Sequence, residues 1–231
     1  MSACPPFSAR SCIKKFMESK YPSLRYEQDL WNAGYGQIAG IDEAGRGAWA
    51  GPVSAGAVIL AADPGLLLSL NGVRDSKLMT PLARETWAPR IRQVALAWGV
   101  GFASSEEIDT LGILPSTKLA ALRALASLSA SANPLSPPPL SPDFLLTDYL
   151  LFPSIDLPQT ALVKGDQLSL SVACASVLAK TARDAVMREQ DGCFPGYGFA
   201  RHKGYGTRVH QLALRKLGFC EIHRKSFSIM A

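Results

Sequence analysis

No stretch of this chain is apolar for long enough to span a membrane. Its first residues also lack the cationic segment, apolar run and cleavage site of a secretory leader. The expectation is a soluble, cytoplasmic protein with no membrane partner. Cysteine is sparse: Cys4, Cys12, Cys174, Cys193 and Cys220 are scattered, with no Cys-x-x-Cys spacing among them. That argues against a disulfide framework and a zinc site and leaves reduced thiols. Histidine is rarer still, and His202, His210 and His223 lack metal-ligand spacing. No Gly-Lys-Ser/Thr phosphate loop and no Gly-x-Ser-x-Gly elbow occur, so P-loop nucleotide hydrolysis and α/β-hydrolase chemistry lose their main support.

What is present bounds the answer further. The 231 residues are 48% apolar, enough for one large domain with a real core. Sixteen prolines and nineteen glycines punctuate many loops. The net charge of +5 is uneven: residues 199–231 carry Arg201, Lys203, Arg208, Arg215, Lys216, Arg224 and Lys225 against one acid, Glu221. Such a segment is either a solvated basic face or a surface that holds a polyanion.

The organising stretch is residues 38–53. An apolar run, Ile38 to Ile41, delivers Asp42 and Glu43 into a small-residue turn that holds Arg46 between Gly45 and Gly47. Bare acids at the end of an apolar strand are costly unless compensated, and a divalent cation is the usual compensation. The alternative is a hairpin with a solvated acidic tip. Pro52 to Leu60 reads as the antiparallel neighbour of this first strand.

Residues 1–35 read as a helical preamble, and residues 36–231 as a single unit. Thr80-Pro81 is a helix start, and Pro89 should kink or split that helix. Val94 to Ala103 reads as a third strand, Ser104 or Ser105 as the cap of a short acidic turn, and residues 115–130 as a helix opened by Pro115. Ser131 to Pro142, dense in proline and serine, is expected to be an exposed connection. Phe144 to Asp148 repeats the pattern of an apolar strand ending in a carboxylate, and Ala161 to Val163 is a short strand before Lys164-Gly165-Asp166. Leu168 to Arg188 is the longest helical candidate. In it, residues 173, 177, 180/181 and 184 share one face, which aims Asp184 at the sheet. An ion pair with Lys or Arg would explain a buried acid there; joining a metal cluster explains it better. The last helix runs from Thr207 to Leu217 and stops at Gly218.

Four carboxylates therefore stand out: Asp42, Glu43, Asp148 and Asp184. Oxygen-only ligands favour Mg2+ or Mn2+, and two ions would suit in-line attack on a phosphodiester. Adjacent strand residues face opposite ways, so Asp42 and Glu43 share a cluster only if the strand ends or twists at Glu43.

Asp42-Glu43-Ala44-Gly45-Arg46-Gly47 with Gly51-Pro52 resembles the signature of the ribonuclease HII family. So do Asp75-Ser76-Lys77, Lys164-Gly165-Asp166, Ser171 to Asp184, Lys203-Gly204-Tyr205-Gly206-Thr207 and His223-Arg224-Lys225-Ser226-Phe227. The resemblance spans roughly residues 27–227. It implies an α/β ribonuclease H-like fold, a mixed five-stranded sheet flanked by helices, with a helical C-terminal extension. It also implies a monomeric, metal-dependent endonuclease acting on RNA–DNA hybrids and on DNA duplexes containing ribonucleotides, cutting on the 5′ side to leave 3′-OH and 5′-phosphate ends. By the same resemblance, Asp42, Glu43, Asp148 and Asp184 are the catalytic metal ligands. Gly45, Arg46 and Gly47 read the 2′-hydroxyl and nearby phosphate, Tyr205 stacks on the following deoxyribose, and Lys77 and Lys164 contact phosphate. The chain departs from the family where Tyr149 replaces a usual glycine, where Leu78 replaces a second lysine, and in the length of its proline-rich loop. Ribonuclease HIII is the alternative within the fold, although it usually lacks arginine between the glycines and carries an additional platform domain. A non-catalytic nucleic-acid-binding module is the alternative from another class, disfavoured by four intact acids beside a polyanion.

Overall fold

Five strands form one mixed sheet: β1 (Ile38–Ala44), β2 (Val53–Ile59), β3 (Ala97–Ala103), β4 (Phe144–Asp148) and β5 (Gln159–Leu162). Their order is β3-β2-β1-β4-β5. The computed structural model describes residues 21–128 and 141–228. β1, β2 and β3 form an antiparallel meander, as expected from the Gly-Arg-Gly turn, whereas β4 and β5 run parallel to β1. The helices among the described residues are α1 (Arg25–Asn32), α2 (Leu66–Ser69), α3 (Pro81–Val94), α4 (Ser105–Leu111), α5 (Ile113–Leu128), α6 (Gly165–Leu168), α7 (Leu170–Cys193), α8 (Phe199–His202) and α9 (Arg208–Leu217). Residues 1–20 of the preamble, residues 129–130 of the helix expected over 115–130 and residues 131–140 of the proline-rich segment lie outside the described residues.

Alternation along the strands divides the core in two. Ala39, Ile41, Ala55, Ala57 and Leu145 pack under α4 and α5, while Val58, Trp98 and Val100 pack with α3 and α7. The helices come very close to the sheet. A Cβ on Gly56 would stand 2.3 Å from the Ala175 carbonyl oxygen of α7, and one on Gly101 would stand 2.1 Å from that of Ala120 in α5. Small residues therefore let α7 lie against the middle of the sheet, beside the residues that follow it towards the C-terminal end of β1.

Local signals set most of the helix ends. The Thr80 hydroxyl caps α3, Ser104 and Glu107 form a reciprocal capping box on α4, and Thr207 and Gly218 bracket α9. Pro89 does not split α3, which runs through it. The residue is exposed, and so is Glu85, whose carbonyl loses its helical donor and can turn to water instead. β3 begins later than its β-branched run suggested, because Val94 closes α3. The described cysteines, Cys174, Cys193 and Cys220, are unpaired.

Candidate active site

The parallel register of β1 and β4 sets Ile41 opposite Thr147, so the next residues along, Asp42 and Asp148, emerge side by side at the strand ends. A third carboxylate comes from Asp166 in α6, and ligand oxygens of Asp42, Asp148 and Asp166 lie within 4.8 Å of one another. Asp148 is oriented by the Gly165 amide, which donates to its Oδ1 at 2.8 Å. Asp42 is buried; its Oδ1 accepts from the Glu43 amide at 2.7 Å, while its Oδ2 is buried without a hydrogen-bond partner. Burial, then the Glu43 carboxylate, raise the proton affinity of Asp42 well above the carboxylate range. Burial, then Asp75 and Asp148, push Asp166 up to about 6.

The positive charge beside this cluster is modest. Lys77 Nζ stands 3.7 Å from Asp166 Oδ2 on a largely exposed side chain. Burial lowers the proton affinity of Lys77, but the combined pull of Asp42, Asp166, Asp75 and Asp148 outweighs it and raises the value. A buried carboxylate oxygen with no donor, converging hard oxygen ligands and raised carboxyl pKa values together describe a site short of cation charge. These residues fit a hard divalent ion.

Two of the expected ligands are placed differently. β1 does not end at Glu43 but pairs through Ala44, yet the Glu43 carboxylate stays near enough to act on Asp42 and to feel Asp148 and Lys77. It receives Arg46 Nη1 at 3.1 Å and is not one of the three converging acids, although Asp148 contributes to its raised proton affinity after burial and the opposing effect of Arg46. Asp184 does face inward as its helical position required, yet both its oxygens are engaged by cations. Arg84 Nη2 reaches Oδ2 at 3.0 Å, and Lys180 Nζ reaches Oδ1 at 2.8 Å. The geometry brings Asp166, not Asp184, to Asp42 and Asp148.

The loop after β1 is fixed by two buried arginines: Arg224, which the sequence placed among the charges of a basic surface, and Arg183, to which it gave no role. Arg183 Nε donates to Pro52 O at 2.8 Å, its Nη2 to Ala50 O at 3.1 Å and its Nη1 to Lys203 O at 2.9 Å. Arg224 Nε donates to Gly51 O at 3.0 Å and Nη1 to Arg46 O at 2.8 Å. Burial, then the neighbouring Arg183, lower Arg224 to about 9. Gly45 has φ +93°, and a Cβ there would overlap Arg183 Nε at 2.0 Å, so no side chain fits. Gly47 is exposed, with nothing near the place of its missing Cβ. Tyr205 joins the same assembly: its ring lies over Arg183, 5.4 Å from Cζ, and over Lys180, 5.2 Å from Nζ. It is half-buried. Lys164 is exposed, in a left-handed conformation, directly before the amide that orients Asp148.

A mixed sheet in this strand order, flanked by helices and closed by carboxylates at the ends of its central parallel pair, defines the ribonuclease H-like class of nucleases. The chain is similar to a ribonuclease HII from Archaeoglobus fulgidus solved in complex with PCNA, at a TM-score of 0.65 and 24% identity over 84% of this chain and 96% of that one. It also resembles a ribonuclease HIII, described as Bst-RNase HIII in complex with Mn2+, at a TM-score of 0.60 and 20% identity over 83% of this chain and 67% of that one. The family model for ribonuclease HII matches residues 39–230. Curated ribonucleases HII from Chloroflexus aurantiacus and Thermus thermophilus are 49% and 50% identical, each over 89% of this chain and over 93% and 92% of their own lengths. The chain belongs to the ribonuclease HII family, endonucleases that degrade the RNA of RNA–DNA hybrids.

Proposed function

We propose that this protein nicks on the 5′ side of a ribonucleotide, both within RNA–DNA hybrids and at single ribonucleotides embedded in duplex DNA. The products carry 3′-OH and 5′-phosphate ends. The proposed cofactor is a pair of Mg2+ or Mn2+ ions held by Asp42, Asp148 and Asp166, with Glu43 at the margin, in place of the set that included Asp184. The observation that carries the reading is the buried, unpartnered Oδ2 of Asp42 beside two further carboxylates. The Mn2+ complex of a ribonuclease HIII with the same fold is consistent with it. When bound, the ions activate the attacking water and stabilise the leaving oxygen.

The remaining work falls to the chain's own groups. Arg183 and Arg224 hold the main chain of residues 46–52 in one shape, so Gly45, Arg46 and Gly47 meet the ribose 2′-hydroxyl and its phosphate with preorganised groups. Tyr205 packs against the deoxyribose that follows. Lys77 and Lys164 take flanking phosphates, and the basic residues of α9, Arg208, Arg215 and Lys216, hold the duplex at a distance from the chemistry. The proposed working form is a cytoplasmic monomer; among the described residues no helix is long and apolar enough to cross a membrane.

The test compares three duplexes: one with a single ribonucleotide, one continuous RNA–DNA hybrid and one all-DNA control, each with Mg2+, Mn2+ or EDTA. Cleavage confined to the two ribonucleotide-containing duplexes and abolished by EDTA is expected. Equal cutting of the all-DNA control, or cutting in EDTA, would overturn the proposal.

A further inference from the structure

Asp184 was left without a role once Asp166 took its expected place in the acid cluster, and its surroundings supply one. Its partner Arg84 has a side chain about as buried as its own, 8% and 6% exposed. A guanidinium stays charged, so at that depth it requires a counter-ion, and Asp184 provides it. The other terminal nitrogen of Arg84, Nη1, donates to Ser76 O at 2.8 Å and to Met79 O at 2.7 Å. Those two carbonyls belong to the short 3₁₀ turn Ser76–Leu78 and the residue that closes it.

That turn carries Lys77, the cation beside Asp166. The Lys77 amide donates to Asp75 Oδ1 at 2.9 Å, and Asp75 Oδ2 accepts from Gln167 Nε2, next to Asp166, at 3.2 Å. The Ser76 hydroxyl meets that of Ser176 on α7 at 2.8 Å. The side chain of Lys77 is largely exposed, so its placement depends on the main chain beneath it. We propose that Asp184 is a positioning residue: by anchoring Arg84 it holds the turn 76–79 against α7, and so presents Lys77 to the substrate phosphate beside the acid cluster. The proposal rests on the nuclease reading above.

A double-mutant cycle on the duplex with one ribonucleotide tests it, using the full chain. Asp184→Asn and Lys77→Ala should each raise KM about tenfold with kcat within about threefold, and the double variant should be worse than either single by no more than about twofold. Effects that multiply would overturn the proposal. Mn2+ titration by calorimetry separates positioning from ligation: Asp184→Asn should bind Mn2+ within about twofold of wild type, whereas Asp166→Asn should weaken it at least about tenfold. Loss of Mn2+ binding in Asp184→Asn would make it a ligand and refute the positioning role. Amide exchange needs no activity at all. In Asp184→Asn, exchange at residues 76–79 should rise at least about tenfold while β1 is unchanged, and unchanged exchange in the turn would overturn the proposal. Should Asp184→Asn not fold, Arg84→Lys keeps the charge pair and removes the two-carbonyl fork, and the same pattern is expected of it. A wild type that nicks none of the ribonucleotide substrates would refute the nuclease reading, and the exchange experiment would still decide the role of Asp184.

Discussion

The guanidinium of Arg224 donates a 2.8 Å hydrogen bond to the main-chain oxygen of Arg46 across 178 residues of sequence. With Arg183 on the other side, it turns the loop after β1 from a flexible glycine-rich segment into a fixed surface. The bonds that both arginines make here go to carbonyls, while the amides of Trp49, Ala50 and Gly51 donate to the carbonyls of Gly204 and Ile222, so the loop is tied from both sides of its main chain. Four predictions follow from this arrangement and its neighbours.

Gly45 tests the fit of that surface. Alanine there must adopt φ near +93° and displace the Arg183 side chain. Left-handed strain and overpacking together should destabilise the fold by about 2–4 kcal/mol. Denaturant unfolding of Gly45→Ala checks it; a loss below about 0.5 kcal/mol would mean that Arg183 moves aside freely.

The acid cluster makes a sharper demand. Asp42→Asn and Asp166→Asn should each cut kcat/KM by at least about 100-fold, the scale of losing one well-placed electrostatic group. Duplex binding measured in EDTA should be unchanged for both, because the basic surface is untouched. An Asp166→Asn variant with near-wild-type turnover would return that carboxylate to a structural role.

Acid should loosen the C-terminal helices. His210 Nε2 lies 3.0 Å from His223 Nε2, and the His202 and His210 rings stack at 4.4 Å. Burial holds His210 below its ordinary 6.5, at about 4, and lowers His202 and His223 in the same direction. Because the folded value lies below the unfolded one, the unfolded chain takes up protons first as pH falls. The contribution is therefore intact above about 6.5 and is lost progressively down to about 4. Urea midpoints measured across that range should fall in wild type and fall less in His210→Gln; equal slopes would remove His210 as the cause.

Tyr149 follows Asp148 with φ +64°, strongly exposed. A glycine accepts that conformation without strain, at the cost of a more flexible unfolded chain, so Tyr149→Gly should stabilise the protein by ~0.5–1 kcal/mol. Thermal unfolding at matched conditions checks the sign. A destabilised variant would show that the exposed ring makes contacts worth more than the strain.

Much of the frame was legible because it rests on local signals. The caps at Thr80, Ser104 and Thr207, the Gly-Arg-Gly turn and the inward face of α7 all depend on near neighbours in sequence. Asp42 and Asp148 were visible for a related reason: each ends an apolar strand. Asp166 stood within the Lys164-Gly165-Asp166 motif after a short apolar strand, yet it was given no role, since it sits in a four-residue helix with no periodicity and only tertiary packing buries it. Asp184 shows the converse limit. Helical spacing correctly turned it inward, but spacing within α7 cannot reveal that Arg84 from α3 waits there. Glu43 depended on where β1 ends, which the pairing with β2 decides.

The arginine clasp also has an order in time. A chain emerging from the ribosome presents Asp42, Glu43 and the loop after them long before Arg183 exists, and Arg224 arrives later still. Until then the loop's carbonyls at Arg46, Ala50, Gly51 and Pro52 have no guanidinium to hold them. The nascent polypeptide thus carries two of its acids before the loop beside them has its fixed shape. The fixed shape of this loop is among the last features the molecule acquires during synthesis; a fragment cut short before Arg224 would lack that anchor while retaining every strand of the sheet, and, on the function proposed above, would lose its discrimination between ribose and deoxyribose.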